Sequence, residues 1–168
     1  MKITVLFAAV VVCLALAPGN SLSNLAQLQS GTLCEQAEKI VFSCPIVNSR
    51  KIVSLCSSKE LTKEKGYLQY RYGVPGKIEL EYPNQREQTQ KAFKYSHYFR
   101  AQVDTTDITF VNGDTEYDIF DDYNGEQKPV QHEQGVKIST PKHEWAIYCR
   151  GQAKAHYEDL AEVFPEPE

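Results

Sequence analysis

Four cysteine residues follow a short apolar leader, and their even number constrains the fold of this chain more than any other feature. Residues 1–23 contain Lys2, a nearly continuous apolar run over 3–17 and small residues up to Ser23, which is typical of a secretory signal peptide. The apolar run is shorter than the roughly 20 residues that span a bilayer. We therefore expect cleavage after Ser23, loss of Cys13 with the leader, no membrane span, and a periplasmic or secreted protein.

The cysteines of the mature chain can pair in three ways, which spacing alone does not distinguish. Cys44 and Cys149 each continue an alternation of apolar residues, so both should lie on the inner face of a sheet. This favours a Cys44–Cys149 disulfide, which leaves Cys34 to bridge Cys56. No Cys-x-x-Cys is present, and an oxidising compartment disfavours thiolate metal sites. We predict structural braces, with no metal and no cofactor.

Charge and length narrow the class of protein. Loss of Lys2 leaves 17 basic against 22 acidic residues, a net charge of about −5. Binding to nucleic acid needs a basic stripe, and the basic residues are scattered, so a nucleic-acid partner is not expected. The length suits one domain. We divide the chain into a signal peptide (1–23), a lead-in (24–36), a β domain (37–150) and a C-terminal helix with an acidic tail (151–168).

Apolar and polar residues alternate through most of the chain, which predicts an antiparallel all-β domain. The first hairpin should turn over 73–77, opposing Tyr72 to Ile78, Arg71 to Glu79, Tyr70 to Leu80 and Leu68 to Tyr82. Its apolar side chains would then share one face and the Arg71–Glu79 ion pair the other.

The second hairpin contains Asn112-Gly113, the pair favoured in a two-residue type I′ turn. This turn would oppose Val111 to Asp114, Phe110 to Thr115 and Ile108 to Tyr117. The apolar side chains of the hairpin would then share the inner face, namely Ile108, Phe110, Tyr117 and Ile119. The predicted outer face carries an acidic strip made of Asp114, Glu116 and Asp118.

Five further strands are predicted at 39–47, 51–56, 92–103, 135–139 and 145–149, with a loop over 126–134. About nine strands result, and their spacing favours an antiparallel meander that forms a barrel or a sandwich. Ala153, Tyr157, Leu160, Ala161 and Phe164 recur at helical spacing, which predicts one short C-terminal helix.

Candidate functional residues are one histidine, several tyrosines with Arg71 between two of them, and the acidic strip. His97 lies in an otherwise apolar row from Phe93 to Val103, where a buried imidazole would need a partner. Tyrosines are abundant in the middle third of the chain, and tyrosine suits binding surfaces because it combines rigid area with a polar tip. The candidate binding residues are Tyr70, Arg71, Tyr72, Tyr95, His97, Asp114, Glu116 and Asp118. No motif identifies a catalytic residue.

The runs Ser-Leu-Cys-Ser-Ser at 54–58, Gly-Tyr-Leu-Gln-Tyr-Arg-Tyr-Gly at 66–73 and Lys-Ile-Glu-Leu at 77–80, followed by Pro83, resemble a family of small exported bacterial proteins. Phe-Ser-Cys at 42–44 and Gly-Val at 135–136 resemble it too. The family is uncharacterised, so the resemblance implies an exported one-domain protein and transfers no functional residue.

Three hypotheses for function follow. The favoured one is a binding protein, similar in role to a lysozyme inhibitor or an immunity protein, whose aromatic and acidic surface contacts a protein or a cell-envelope component. The acidic strip would suit a basic protein partner, such as a basic hydrolase. The second is a hydrolase of envelope polymers that uses His97 with a nearby carboxylate. The third is a carrier that holds a small apolar ligand among tyrosines inside a barrel.

Overall fold

The computed structural model describes residues 31–164, so the predicted signal peptide and Cys13 lie outside the described residues. Within 31–164 the chain forms ten strands: β1 (Lys39–Pro45), β2 (Ile52–Ser57), β3 (Leu68–Val74), β4 (Lys77–Tyr82), β5 (Phe93–Arg100), β6 (Val103–Asn112), β7 (Thr115–Asn124), β8 (Gln131–Ser139), β9 (Glu144–Tyr148) and β10 (Lys154–Ala155). A 3-10 turn covers Thr89–Ala92, and one short helix, α1, covers Leu160–Val163.

The strands form two antiparallel five-stranded sheets. The first sheet has the order β10-β1-β2-β3-β4 and the second the order β5-β6-β7-β8-β9. The predicted all-β fold with a short C-terminal helix is confirmed, and of the two predicted architectures the sandwich is the one found. No helix among residues 31–164 is long and apolar enough to cross a membrane.

The core lies between the two sheets, where apolar side chains from alternate positions meet. It contains Phe42, Val53, Leu55, Leu68, Tyr70, Phe93, Ile108, Phe110, Ile119 and Val136. The Phe110 ring stacks on the Tyr117 ring at a centroid distance of 4.8 Å and on the Tyr82 ring at the same distance. The inward faces predicted for Ile108, Phe110, Tyr117 and Ile119 are therefore correct.

Both predicted disulfides are present. Cys34 pairs with Cys56, and Cys44 pairs with Cys149 across a sequence separation of 105 residues. The second bond joins β1, in the first sheet, to the residue that follows β9, in the second. It therefore fixes the two sheets to each other.

The first hairpin has a different register from the one predicted. Tyr70 faces Tyr82, Arg71 faces Glu81 and Tyr72 faces Leu80, with a bulge between Tyr72 and Gly73. The turn is the pair Pro75-Gly76, and Gly76 has a φ of 80°, as the third position of a type II turn requires. A shift of two residues keeps every side chain on its predicted face, except that the bulge leaves Ile78 exposed.

The second hairpin is also displaced by two residues. Phe110 faces Tyr117, Val111 faces Glu116 and Asn112 faces Thr115, so the turn residues are Gly113 and Asp114. Gly113 has a φ of 63°, and a type II′ turn takes glycine at this first central position. The prediction of an Asn112-Gly113 turn pair is therefore wrong, although the shared faces are right.

Three boundaries differ from prediction. The single strand predicted at 92–103 is interrupted by a turn at 101–102, and β8 begins at Gln131 inside the predicted loop. The C-terminal helical pattern is only partly correct, because Lys154 and Ala155 pair with β1 as a strand before α1 begins. Hydrogen bonding to the open edge of β1 is the reason, since extended backbone there satisfies edge groups that a helix would leave unpaired.

Candidate functional site

The second sheet (β5 to β9), here called sheet two, contains longer strands than the first (β10 and β1 to β4), here called sheet one. This difference in strand length creates an open cleft. Strands β6 and β7 have ten residues each, whereas β1 to β4 have six or seven. One half of the inner face of sheet two packs on sheet one and supplies the core. The other half extends past it and is lined by polar and aromatic side chains.

The C-terminal segment forms a wall beside this overhanging half of the sheet. The Ala153 amide donates to Gln134 Oε1 at 2.7 Å, and the Tyr157 hydroxyl donates to Asp121 Oδ2 at 3.1 Å. Floor and wall enclose a cleft of about 620 Å³, which falls in the size range of ligand-binding pockets.

Two histidine–aspartate pairs lie on the floor of the cleft. His97 Nε2 is 2.8 Å from Asp104 Oδ1, and His132 Nε2 is 2.7 Å from Asp121 Oδ1. In a neutral ring, the proton-bearing Nε2 donates to the ionised carboxylate and Nδ1 is an acceptor. Each pair thus fixes the orientation of one imidazole at the cleft surface.

Asp121 is the most extensively bonded acid in the cleft. Besides His132, its carboxylate accepts from Gln134 Nε2 at 2.8 Å and from the Tyr157 hydroxyl at 3.1 Å. Burial, followed by the charge and the hydrogen bond of Asp121, raises the pKa of Tyr157 far above the ordinary value. Tyr157 is therefore a hydrogen-bond donor across the accessible pH range, not a base.

Strand register accounts for this arrangement. His97, Thr106, Asp121 and Gln134 form one row of cross-strand partners on β5 to β8, and Phe99, Asp104, Tyr123 and His132 form the next row. The two histidine–aspartate pairs are diagonal contacts between these rows. Such diagonals are within reach of long side chains on the same face of a sheet.

Aromatic rings accompany the polar groups. The rings of Tyr95 and His97 are stacked with centroids 6.5 Å apart, and Phe99 lies beyond His97 at the same spacing. Tyr123 meets His132 edge to face at 5.7 Å. Phe99 is 71% exposed, so part of this aromatic surface is open to solvent.

His97 is therefore on the predicted face but not in the predicted environment. Its side chain is 42% exposed, because β5 has passed the edge of sheet one at this point. Tyr95, the other predicted binding residue on this strand, also lines the cleft. These are the two predicted site residues that the structure brings together.

Arg71 lies elsewhere, in a buried polar cluster on the other face of sheet one. Its guanidinium donates to both carboxylate oxygens of Glu38 at 2.6 and 2.7 Å, to Glu81 at 3.0 Å and to Gln69 at 2.6 Å. The prediction of an exposed Arg71–Glu79 pair is wrong on two counts. Arg71 faces Glu81, and Glu79 binds Lys51 instead.

The segment at 31–38 explains why Arg71 is buried. It crosses the outer face of sheet one, where the Leu33 amide donates to Ser54 Oγ at 2.9 Å and the Leu33 carbonyl accepts from Arg71 at 3.0 Å. Burial opposes the charged form of Arg71, but the hydrogen bond and charge of Glu38 outweigh it and raise the arginine pKa. The cluster is thus a structural one.

The remaining tyrosines of the predicted site serve the fold. Tyr70 is 1% exposed in the core, and burial raises the pKa of its hydroxyl well above the ordinary range. Tyr72 is half-buried, with Lys51 Nζ 4.9 Å above its ring. Neither residue reaches the cleft.

The predicted acidic strip lies on the opposite face of sheet two from the cleft. Asp114 and Glu116 are exposed, while Asp118 is half-buried and lies 3.9 Å from Lys137. Burial, then the charge of neighbouring Asp107, raises the pKa of Asp118 to about 6. The strip and the cleft are therefore separate surfaces.

One cluster among the described residues has the residue types of a metal site, but its cysteines are not available as ligands. Cys34, Glu38 and Cys56 have potential ligand atoms within 4.8 Å of one another. Both thiols are joined in the disulfide, and Glu38 is held by Arg71. The group therefore has no free thiolate to offer a metal ion.

Sequence reasoning missed Asp104, Asp121, His132 and Tyr157. His132 lies in the stretch that was predicted as a loop, and the two aspartates belong to strands whose register was displaced. Comparison with known proteins supplies no further assignment, because no protein-family model, curated protein or solved structure matches the chain. The fold itself defines a disulfide-braced, two-sheet β sandwich.

Proposed function

We propose that this chain is an exported binding protein that contacts a protein or a cell-envelope component through the cleft on sheet two. The observation that carries the proposal is the overhanging half of the sheet. Its aromatic and polar side chains remain accessible there, although the same face is tightly packed a few residues away. Two disulfides fit the oxidising compartment that export implies.

Rigidity supports binding in particular. The floor consists of paired strands, its histidines are held by carboxylates, and its wall is hydrogen-bonded to Gln134 and Asp121. A surface that is ordered before contact loses little conformational entropy when the partner arrives. An inhibitor or an immunity protein has this requirement, since it must match the surface of another folded protein.

The proposal is tested with two probes, insoluble peptidoglycan in a co-sedimentation assay and a cationic muramidase in an inhibition assay. We expect the oxidised protein to bind one of them, and the double variant Tyr95→Ala/Tyr123→Ala to bind at least tenfold more weakly. Tyr98→Ala is the matched control, because Tyr98 is an exposed tyrosine on the opposite face of the same strand. Equal affinity of the double variant and the wild type would contradict the cleft as the contact surface, and absence of binding to both probes would contradict the proposal.

A second candidate, hydrolysis of an envelope polymer, draws on one observation. His97 contacts Asp104 in an open cleft, the geometry that this hypothesis required, and its Nδ1 could act as a general base. This candidate predicts that the protein releases reducing ends from peptidoglycan, and that His97→Gln lowers the rate of release at least a hundredfold. The carrier hypothesis has less support. The rings of Tyr70, Phe110 and Tyr117 pack against one another between the sheets, and the mainly apolar pocket beside them, which Tyr70, Tyr72 and Tyr117 line, has a volume of about 280 Å³, at the lower limit for ligand-binding pockets.

A further inference from the structure

Among the described residues, the cleft is lined by carboxylates without lysine or arginine. Its lining contains three carboxylates, Asp104, Asp121 and Glu158, and no lysine or arginine from the described part of the chain. The closest candidate among the β5 residues, Arg100, is on the other face of the strand and is paired with Glu126. Phosphates, carboxylates and other anionic groups would therefore meet repulsion from these carboxylates, with no lysine or arginine among the described lining residues to hold them.

Aromatic faces add a second attraction for positive charge. Tyr95 and Tyr123 lie on the floor and Tyr157 on the wall. A guanidinium or ammonium group over the face of such a ring is attracted by the electrons of the ring. The same group can donate hydrogen bonds to a neighbouring carboxylate. Carboxylates beside tyrosine rings thus form surroundings that are complementary to an organic cation in both charge and shape.

The two imidazoles are compatible with this role. In a neutral ring whose Nε2–H donates to a carboxylate, Nδ1 is an acceptor, and a guanidinium or ammonium group carries only donors. Asp104 keeps an exposed side chain, 49% accessible, so its second oxygen can be reached from solvent. The cleft volume of about 620 Å³ leaves room for an extended basic side chain together with part of the backbone that carries it.

We infer that the cleft binds a basic side chain of a polypeptide partner, with a guanidinium or ammonium group placed between the tyrosine rings and the carboxylates of Asp104 and Asp121. The inference rests on the proposed binding function and names the chemistry of the contact. It also places the basic partner at the cleft, whereas the sequence alone directed such a partner to the acidic strip on the other face.

The test is an NMR titration of the oxidised protein with two short peptides that differ in one group. One is N-acetyl-Gly-Arg-Gly-amide, and the other carries citrulline in place of arginine, which keeps the shape and removes the charge. Chitotriose is the third probe, as a neutral polyhydroxylated ligand. We expect the arginine peptide to shift the resonances of Tyr95 and Tyr123, and to bind at least tenfold more tightly than the citrulline peptide.

Variants then locate the contact. Asp104→Asn should weaken arginine-peptide binding at least fivefold, and it removes a carboxylate that contacts an exposed histidine, so the fold should tolerate it. Asp121→Asn should weaken binding as well, while Asp114→Asn, on the acidic strip, should leave affinity unchanged. A reversed pattern, with Asp114→Asn weakening binding and the cleft variants unaffected, would overturn the inference.

The outcomes separate this inference from the proposed function. Equal binding of the two peptides, or shifts at the cleft with chitotriose alone, would overturn the inferred recognition of a cationic group. The cleft would still be a binding surface. No shift at the cleft with any of the three probes would overturn the inference, and the peptidoglycan and muramidase assays would still decide the proposed function independently.

Discussion

Arg71→Met is expected to destabilise the protein by about 3–5 kcal/mol, which is the cost of removing one partner from a buried ion pair. The magnitude follows from burial, because the side chain of Arg71 is 2% exposed and that of Glu38 is 1% exposed. Methionine preserves much of the volume but leaves the Glu38 carboxylate without the two hydrogen bonds from the guanidinium. Its remaining partners are the Tyr67 hydroxyl, the Glu35 amide and the partly exposed Arg86, whose Nη1 lies 3.9 Å from Glu38 Oε1.

Urea unfolding followed by circular dichroism measures this cost as a change in midpoint at constant slope. The double variant Arg71→Met/Glu38→Leu should lose at least 2 kcal/mol less than the sum of the two single variants, since neither charge is then buried alone. Lys65→Met, in the exposed Lys65–Glu60 pair, is the control and should leave the midpoint unchanged. A cost below about 1 kcal/mol for Arg71→Met, the usual value for a surface pair, would refute the reasoning.

Three further predictions concern the disulfide, a close contact and a titrating acid. Replacing Cys44 and Cys149 by alanine should destabilise the protein by about 5 kcal/mol in the chain-entropy model, given the separation of 105 residues; a thermal midpoint equal to that of the wild type would contradict this. Gly135→Ala should cost about 3 kcal/mol or more in urea unfolding, because a Cβ there would lie 2.1 Å from the Ile147 carbonyl oxygen. The pKa of Asp118 is raised from 3.8 to about 6, so its ionisation destabilises the folded state, and stability should fall by roughly 2–3 kcal/mol as pH rises from below 4 to above 6. Asp118→Asn should remove this fall, and unfolding curves of both proteins between pH 4 and 8 would show an unchanged pH dependence if the assignment is wrong.

The parts of the fold that were predictable from sequence are those that depend on a period of two. Alternation assigned Ile108, Phe110, Tyr117 and Ile119 to one face, and the same alternation placed Cys44 on an inner face where Cys149 could reach it. Register was not predictable, because a slip of two residues preserves every face. The register depended on which residues form the turns, and these are Pro75-Gly76 and Gly113-Asp114. Each of these sequences allows the glycine to occupy more than one turn position.

The burial of Arg71 could not be read from the sequence for a different reason. A polar row in a strand predicts an exposed face only if nothing covers it, and the cover here is an irregular segment at 31–38 with no periodicity of its own. Its attachment depends on three contacts between residues distant in sequence: the Cys34–Cys56 disulfide, the hydrogen bond from the Leu33 amide to Ser54, and the ion pair of Glu38 with Arg71. The Arg71 side chain, which donates five hydrogen bonds, is then surrounded by protein groups and not by solvent. Alternation along the strand does not reveal such a cover.

The candidate site was not predicted from the sequence, because the polar residues that form it interrupt the apolar alternation by which strands are recognised. Along β6 the inner face changes from Phe110 and Ile108 to Thr106 and Asp104, and along β8 from Val136 to Gln134 and His132. In sequence this change weakens the strand signal, so 126–134 was predicted as a loop.

In space, the change from apolar to polar side chains marks the line where sheet one ends. The excess of about three residues per strand corresponds to about 10 Å of overhanging sheet. An apolar overhang of that length would be an aggregation hazard, and polar residues alone would remove the hazard. They would not require three tyrosines or a wall tied to Asp121 through Tyr157. Avoidance of aggregation therefore accounts for the carboxylates and amides of the overhang, whereas the aromatic rings and the wall are the features that only the proposed binding function explains.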